Sequence, residues 1–176
     1  MKADTPQVQI TLKGKPVTLS GTPPGSGEKA PDFKVANASF EPVALSDFKG
    51  KVVLISAVPS LDTGVCSLQT KRFNEEAASL PSNVVVLTIS EDLPYAQSRF
   101  CGVENVARIK VLSDSVWREF GTKYGLLVQD RGTLARSVWI VDAEGTIVYR
   151  QLVPEISTQP DYNASLKAVR ETAKTK

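Results

Sequence analysis

Residues 51–90 constrain the fold more tightly than any other stretch of the chain. "KVVLISA" at 51–57 is a short β-branched run, "CSLQTKRFNEEAASL" at 66–80 has helical spacing through Leu68, Phe73, Ala77 and Leu80, and "NVVVLTIS" at 83–90 is a second apolar run. Strand, helix and strand within 40 residues predict a βαβ unit with parallel strands and a right-handed crossover. The apolar runs do not alternate with polar residues, which suits strands covered on both faces.

Other segments extend this α/β layout. "QVQITLKGKPVTLSG" alternates on both sides of Lys13-Gly14-Lys15 and predicts a hairpin, whereas "GTPPGSGEKAPDF" is a Pro/Gly-rich connector without the Gly-Lys-Ser/Thr of a phosphate loop. "SEDLPYAQSRFCG" predicts a short helix, "ARIKVLSD" a strand and "SVWREFGTKYG" an amphipathic piece. "RSVWIVDAEGTIVYRQLV" reads as two strands around a turn at 142–145, and "DYNASLKAVRETAKTK" as a closing helix. With 176 residues and 41% hydrophobic content, the expectation is one domain over 1–176, with residues 1–20 as an N-terminal hairpin extension.

The bulk properties exclude several classes of partner. A formal net charge of +2 gives no pull toward nucleic acid or an anionic membrane surface. No secretory leader and no run of about 18 apolar residues is present, so the expectation is a soluble, cytoplasmic protein.

Histidine is absent. That removes Ser/His/Asp and Cys/His catalysis, the HExxH motif and nearly every mixed Cys/His metal site, and two cysteines alone make a poor zinc site. No metal or cofactor is expected, and any nucleophile must be activated by something other than an imidazole.

Cys66 lies where the strand at 51–57 has ended and the next helix begins, behind a loop broken by Pro59 and Gly64. Asp62 and Thr63 are both candidate N-caps, which puts Cys66 in the first helical turn, among free amide hydrogens and the positive end of the helix dipole. Thr63 precedes it by three residues, so its hydroxyl can face the sulfur. The residues alone leave two readings open: a reactive thiolate, or a small buried hydrophobe.

Thiolate formation by itself accelerates little. Lowering a thiol pKa from about 8.5 to about 6 raises the thiolate fraction at pH 7 roughly thirty-fold. The accompanying loss of nucleophilicity, with a Brønsted slope of about 0.4, removes roughly ten-fold of that. An efficient enzyme therefore needs groups that stabilise charge developing on the leaving atom.

"PSLDTGVC" resembles the Pro-x-x-x-Thr-x-x-Cys motif of the peroxiredoxins, fulfilled by Pro59, Thr63 and Cys66. Further segments at 92–101, 134–142 and 151–166, and the N-terminal hairpin, resemble the bacterial thiol peroxidase branch, an atypical two-cysteine group. The resemblance spans nearly the whole chain. It implies a thioredoxin-like fold with a central mixed sheet flanked by helices, and thiol-dependent reduction of hydrogen peroxide and organic hydroperoxides.

Residue by residue, the resemblance makes Cys66 the peroxidatic cysteine that becomes a sulfenic acid. Thr63 hydrogen-bonds peroxide and thiolate, Pro59 shields the sulfur, and Arg136 stabilises the thiolate and polarises the peroxide. The residues alone do not select Arg136 from eight arginines. Cys101 becomes the resolving cysteine, closing an intrachain disulfide with Cys66; without the resemblance it reads as a buried helix residue beside Phe100. With both cysteines on separate helices, the disulfide requires local unwinding. Thioredoxin is the implied reductant and a homodimer the implied assembly.

Two alternatives differ in class. A thiol–disulfide oxidoreductase of the same fold is disfavoured because no CxxC is present. A binding module with a static Cys66–Cys101 staple is at odds with a reducing cytoplasm.

Overall fold

The computed structural model describes residues 9–175. The chain opens with a hairpin of β1 (Ile10–Leu12) and β2 (Lys15–Val17), in which Ile10 pairs with Val17 and Leu12 with Lys15. Lys13 and Gly14 both take positive φ, at 50° and 76°, the twist a two-residue hairpin turn requires. Gln7 and Val8 of the predicted hairpin lie outside the described residues.

A seven-stranded mixed sheet forms the centre. Its strands are β3 (Lys34–Ala36), β4 (Pro42–Ala44), β5 (Val52–Ala57), β6 (Val84–Ser90), β7 (Lys110–Ser113), β8 (Ser137–Val141) and β9 (Ile147–Leu152), in the order β4-β3-β7-β6-β5-β8-β9. Strands β5, β6 and β7 run parallel and the outer pairings are antiparallel. The predicted βαβ unit is β5, α1 (Gly64–Ala77) and β6.

Every residue of β5 is buried, and its alternation splits the core in two. Val53, Ile55 and Ala57 enter a cluster with Phe33, Phe120, Tyr124 and Trp139, on the face covered by the hairpin and by α3 (Glu119–Lys123). Val52 and Leu54 enter a second cluster with Phe73 of α1 and with Leu166 and Val169 of α4 (Tyr162–Lys174). The half-buried Phe100 and Cys101 of α2 (Pro94–Glu104) pack on that second face.

Two sequence expectations change. In α1 the inward residues are Cys66, Gln69, Thr70, Phe73 and Asn74, while Leu68 is 52% exposed. Leu68 precedes Phe73 by five residues, which at about 100° per residue turns it roughly 140° away from Phe73, whereas Cys66, Gln69 and Thr70 fall on the Phe73 face. The amphipathic piece around Trp117 yields only the five-residue α3. Arg118 sits at φ 54°, and the Asp114 carboxylate accepts the amides of Phe120 and Gly121 at 2.9 Å each, starting a new helix there. The three-residue strands β3 and β4 follow the connector, with no sequence expectation for them.

Candidate active site

The C-terminal ends of β5 and β6 bring the predicted residues together. Pro59 lies two residues beyond the end of β5, half-buried in the loop leading to α1. Thr63 is the N-cap of α1, its Oγ1 accepting the Cys66 amide at 3.3 Å. The same hydroxyl donates to the Ser60 carbonyl at 3.2 Å. Its proton is thus committed to the loop, and one lone pair remains free to accept.

Cys66 is the third residue of α1 and has no exposed surface. It lies in a small apolar cluster with Val58 and Leu61, closed by Phe100 and Val111. Leu126 is buried in the larger cluster with Trp139 and not in this one.

Arg136 reaches this sulfur through sheet register. Ala57, the last residue of β5, pairs with Ser137, the first of β8, so Arg136 stands one residue beyond the strand end that launches the Cys66 loop. Its guanidinium is 2% exposed; Nη2 donates to Cys66 Sγ at 3.3 Å, Nη1 to Gln69 Oε1 at 2.9 Å and Nε to the Ile156 carbonyl at 2.8 Å. Among the described residues it forms no ion pair with a carboxylate. The sulfur is therefore the nearest atom able to carry the balancing negative charge.

Two supports escape the sequence reading. Gln69 follows Cys66 by three residues on the buried stripe of α1, and its Nε2 donates to Ser56 Oγ at 2.7 Å while its oxygen holds Arg136. A polar residue on an inward helical face is the signal that marks it. Ile156 is fixed by the hairpin: its amide donates to the Thr11 carbonyl and the Thr11 amide to Pro154, each at 2.8 Å. Glu155 completes the joint, accepting from Ser157 and from the Gly14 amide, contacts that hold its carboxyl down at about 2.

Cys101 occupies a different environment. It is half-buried in α2, both cysteines are free, and burial pushes the Cys101 thiol up. Phe100 faces the Cys66 cluster, while Cys101 is turned by one helical step, about 100°, toward the second core. The arrangement supplies one buried sulfur under a guanidinium, suited to nucleophilic attack with charge stabilisation, and a second, half-buried sulfur on a separate helix packed toward the second core.

Concavity does not mark the site. A cavity of about 230 Å³ lined by Leu45, Phe48, Val53 and Val141 lies under the β8–β9 turn, and neither cysteine lines it. Among the described residues no group of three or more Cys, Asp or Glu is placed to hold a metal ion. No helix there is long and apolar enough to cross a membrane.

A family model described as Redoxin matches residues 25–166. A thiol peroxidase from Listeria innocua is 50% identical over 163 residues, covering 93% of this chain and 98% of that protein. A thiol peroxidase from Bacillus subtilis is 46% identical over 166 residues, covering 94% and 99% respectively. Among solved structures, a peroxiredoxin-like protein from Aquifex aeolicus superposes with a TM-score of 0.89 at 40% identity, over 94% of this chain and 97% of that one. With a family model matched over residues 25–166 and relatives this similar along nearly the whole chain, and with a helix-start cysteine under a buried arginine, the chain belongs to the Redoxin family, among the thiol peroxidases of the peroxiredoxin group.

Proposed function

We propose that the chain reduces hydrogen peroxide and organic hydroperoxides, with Cys66 as the attacking sulfur, and that all of it works as one domain. The observation that carries the proposal is the buried Arg136 guanidinium 3.3 Å from Cys66 Sγ, with no carboxylate partner among the described residues. The thiolate attacks the nearer peroxide oxygen, the O–O bond breaks, and the electron pair leaves on the distal oxygen, giving Cys66 sulfenic acid and, after protonation, water or an alcohol. Arg136 stabilises the charge growing on the leaving oxygen. The free lone pair of Thr63 accepts the peroxide O–H, and Pro59, which lacks an N–H, keeps bulk water from the sulfur. Leu61 beside the sulfur offers apolar contact to an organic substituent.

Cys101 then attacks the sulfenic sulfur, expelling water and closing an intrachain disulfide. Thioredoxin returns both thiols by dithiol–disulfide exchange, in the cytoplasm, where thiols are kept reduced. The chain works as a homodimer; the exposed Phe40, Leu93 and Tyr95, with the Phe40 and Tyr95 rings 5.2 Å apart, are apolar surface suited to a partner.

Peroxide-dependent NADPH oxidation through thioredoxin and its reductase tests the cycle. Cys66→Ser is expected to show no turnover. Cys101→Ser is expected to complete one oxidation, lose recycling and accumulate sulfinic acid at Cys66. Full turnover by Cys66→Ser refutes the mechanism, and wild-type turnover by Cys101→Ser removes the resolving role.

A further inference from the structure

We infer that the Asp92 carboxylate is a positioning latch between the two cysteine-bearing segments, and that it sets the balance between peroxide attack and disulfide closure. The inference rests on the roles proposed for Cys66 and Cys101. Asp92 lies between β6 and α2 and grips the loop that leads to Cys66. Its Oδ1 accepts from Ser60 Oγ at 2.7 Å, and its Oδ2 from the Leu61 amide at 2.8 Å and from Ser90 Oγ at 2.6 Å.

The two gripped residues build the sulfur's surroundings. The Ser60 carbonyl accepts both the amide and the hydroxyl of Thr63, and Leu61 packs in the Cys66 cluster. On the other side, Ser90 Oγ accepts from Gln97 Nε2 at 3.0 Å, and that amide also donates to the Leu112 carbonyl at 2.8 Å. The first turns of α2 are thereby pinned to the sheet. Asp92 ties the Cys66 loop to this pinned part, upstream of Cys101. The exposed Arg99–Asp62 pair at 3.4 Å bridges the same segments and contributes little.

Disulfide closure must withdraw Phe100 from the Cys66 cluster and bring two helices' cysteines within bonding reach. The latch opposes movement on the Cys66 side, so the motion falls mainly on α2 beyond Gln97. Releasing it loosens the peroxide-binding loop and at the same time eases closure. A merely structural role would slow both steps together; the latch predicts that they change in opposite directions.

Asp92→Asn removes one of the two acceptor oxygens, and Ser60→Ala removes one bond from the other side with little risk to folding. Stopped-flow oxidation of the reduced protein by hydrogen peroxide, followed by mass spectrometry of Cys66, separates the steps. Asp92→Asn is expected to slow sulfenic acid formation by about ten-fold, the scale of one charge-assisted hydrogen bond. It is also expected to raise several-fold the peroxide concentration that converts half of Cys66 to sulfinic acid during cycling. Ser60→Ala is expected to shift both readouts the same way by less. Variants whose over-oxidation threshold is unchanged or lowered, while wild type forms its Cys66–Cys101 disulfide normally, overturn the latch alone. Wild type that forms no such disulfide overturns the peroxidase reading and the latch with it.

Discussion

Replacing Arg136 with methionine removes the charge and keeps most of the side-chain volume. At 3.3 Å, and with an effective dielectric of 20, a unit charge pair interacts by about 5 kcal/mol, which bounds what the guanidinium contributes at the sulfur. Little of that reaches the rate through thiolate population, because the gain in thiolate is nearly offset by weaker nucleophilicity. The larger share acts on the leaving oxygen, where loss of one preorganised donor lowers rates by about 10²–10³-fold. The expected fall in kcat/KM for hydrogen peroxide is therefore about 10²–10³-fold at pH 7. Competition kinetics against a reference peroxidase measures it. The pH dependence separates the two contributions: a deficit of population vanishes above the ordinary thiol pKa of about 8.5, and a deficit in the transition state persists. Arg136→Met leaves Gln69 Oε1 and the Ile156 carbonyl without a donor but also removes a buried cation, so the melting temperature is expected to move by only a few degrees. A variant within five-fold of wild type, or a gap that closes at pH 9.5, refutes the reasoning.

Three further outcomes are expected. Thr63→Val removes the cap on the Cys66 amide and the acceptor for peroxide, destabilising by about 0.5–2 kcal/mol and lowering kcat/KM, while Thr63→Ser restores both; equal activity in the two variants would show that the hydroxyl is idle. The Glu91 carboxyl, 7% exposed, is pushed up to about 9, chiefly by burial and then by the neighbouring Asp114 carboxylate, with Arg118 opposing and Asp92 adding to the rise. Its folded-state pKa lies above the unfolded one, so its stabilisation is complete below about pH 4.5 and is lost as pH rises toward 9; Glu91→Gln should flatten urea midpoints measured between pH 6 and 9, and parallel curves would rule this out. Gly125→Ala should unfold at a markedly lower temperature, because φ is +61° and a Cβ would stand 2.6 Å from the Thr22 carbonyl carbon; an unchanged melting temperature contradicts that close approach.

Legibility followed the range of the interactions concerned. The β5-α1-β6 unit is written in contiguous apolar runs, and Thr63 and Cys66 are placed by local capping rules, so both are readable from a short window. Strands β3 and β4, three residues each, leave too short a pattern to register and exist because the edge of the sheet recruits them. Leu68 misleads because it is apolar but stands five residues before Phe73, a spacing that turns it roughly 140° off the buried face. Arg136 lies 70 residues from the sulfur it touches, and only β5–β8 register joins them. No local signal carries that, so the family resemblance had to select it. Gln69 escapes the sequence reading although it carries a local signal: once the stripe is drawn through Cys66 and Phe73, a glutamine upon it demands a polar partner.

The same separation has a consequence for the protein as it is made. A ribosome adding about 5–20 residues per second releases the Cys66 helix several seconds before Arg136 exists, and later still the Ile156 carbonyl that orients it. Until the last fifth of the chain has emerged and docked on the hairpin, the sulfur has no cation beside it. The nascent thiol therefore passes through synthesis without its charge partner, and the site arms itself only when the fold is nearly complete.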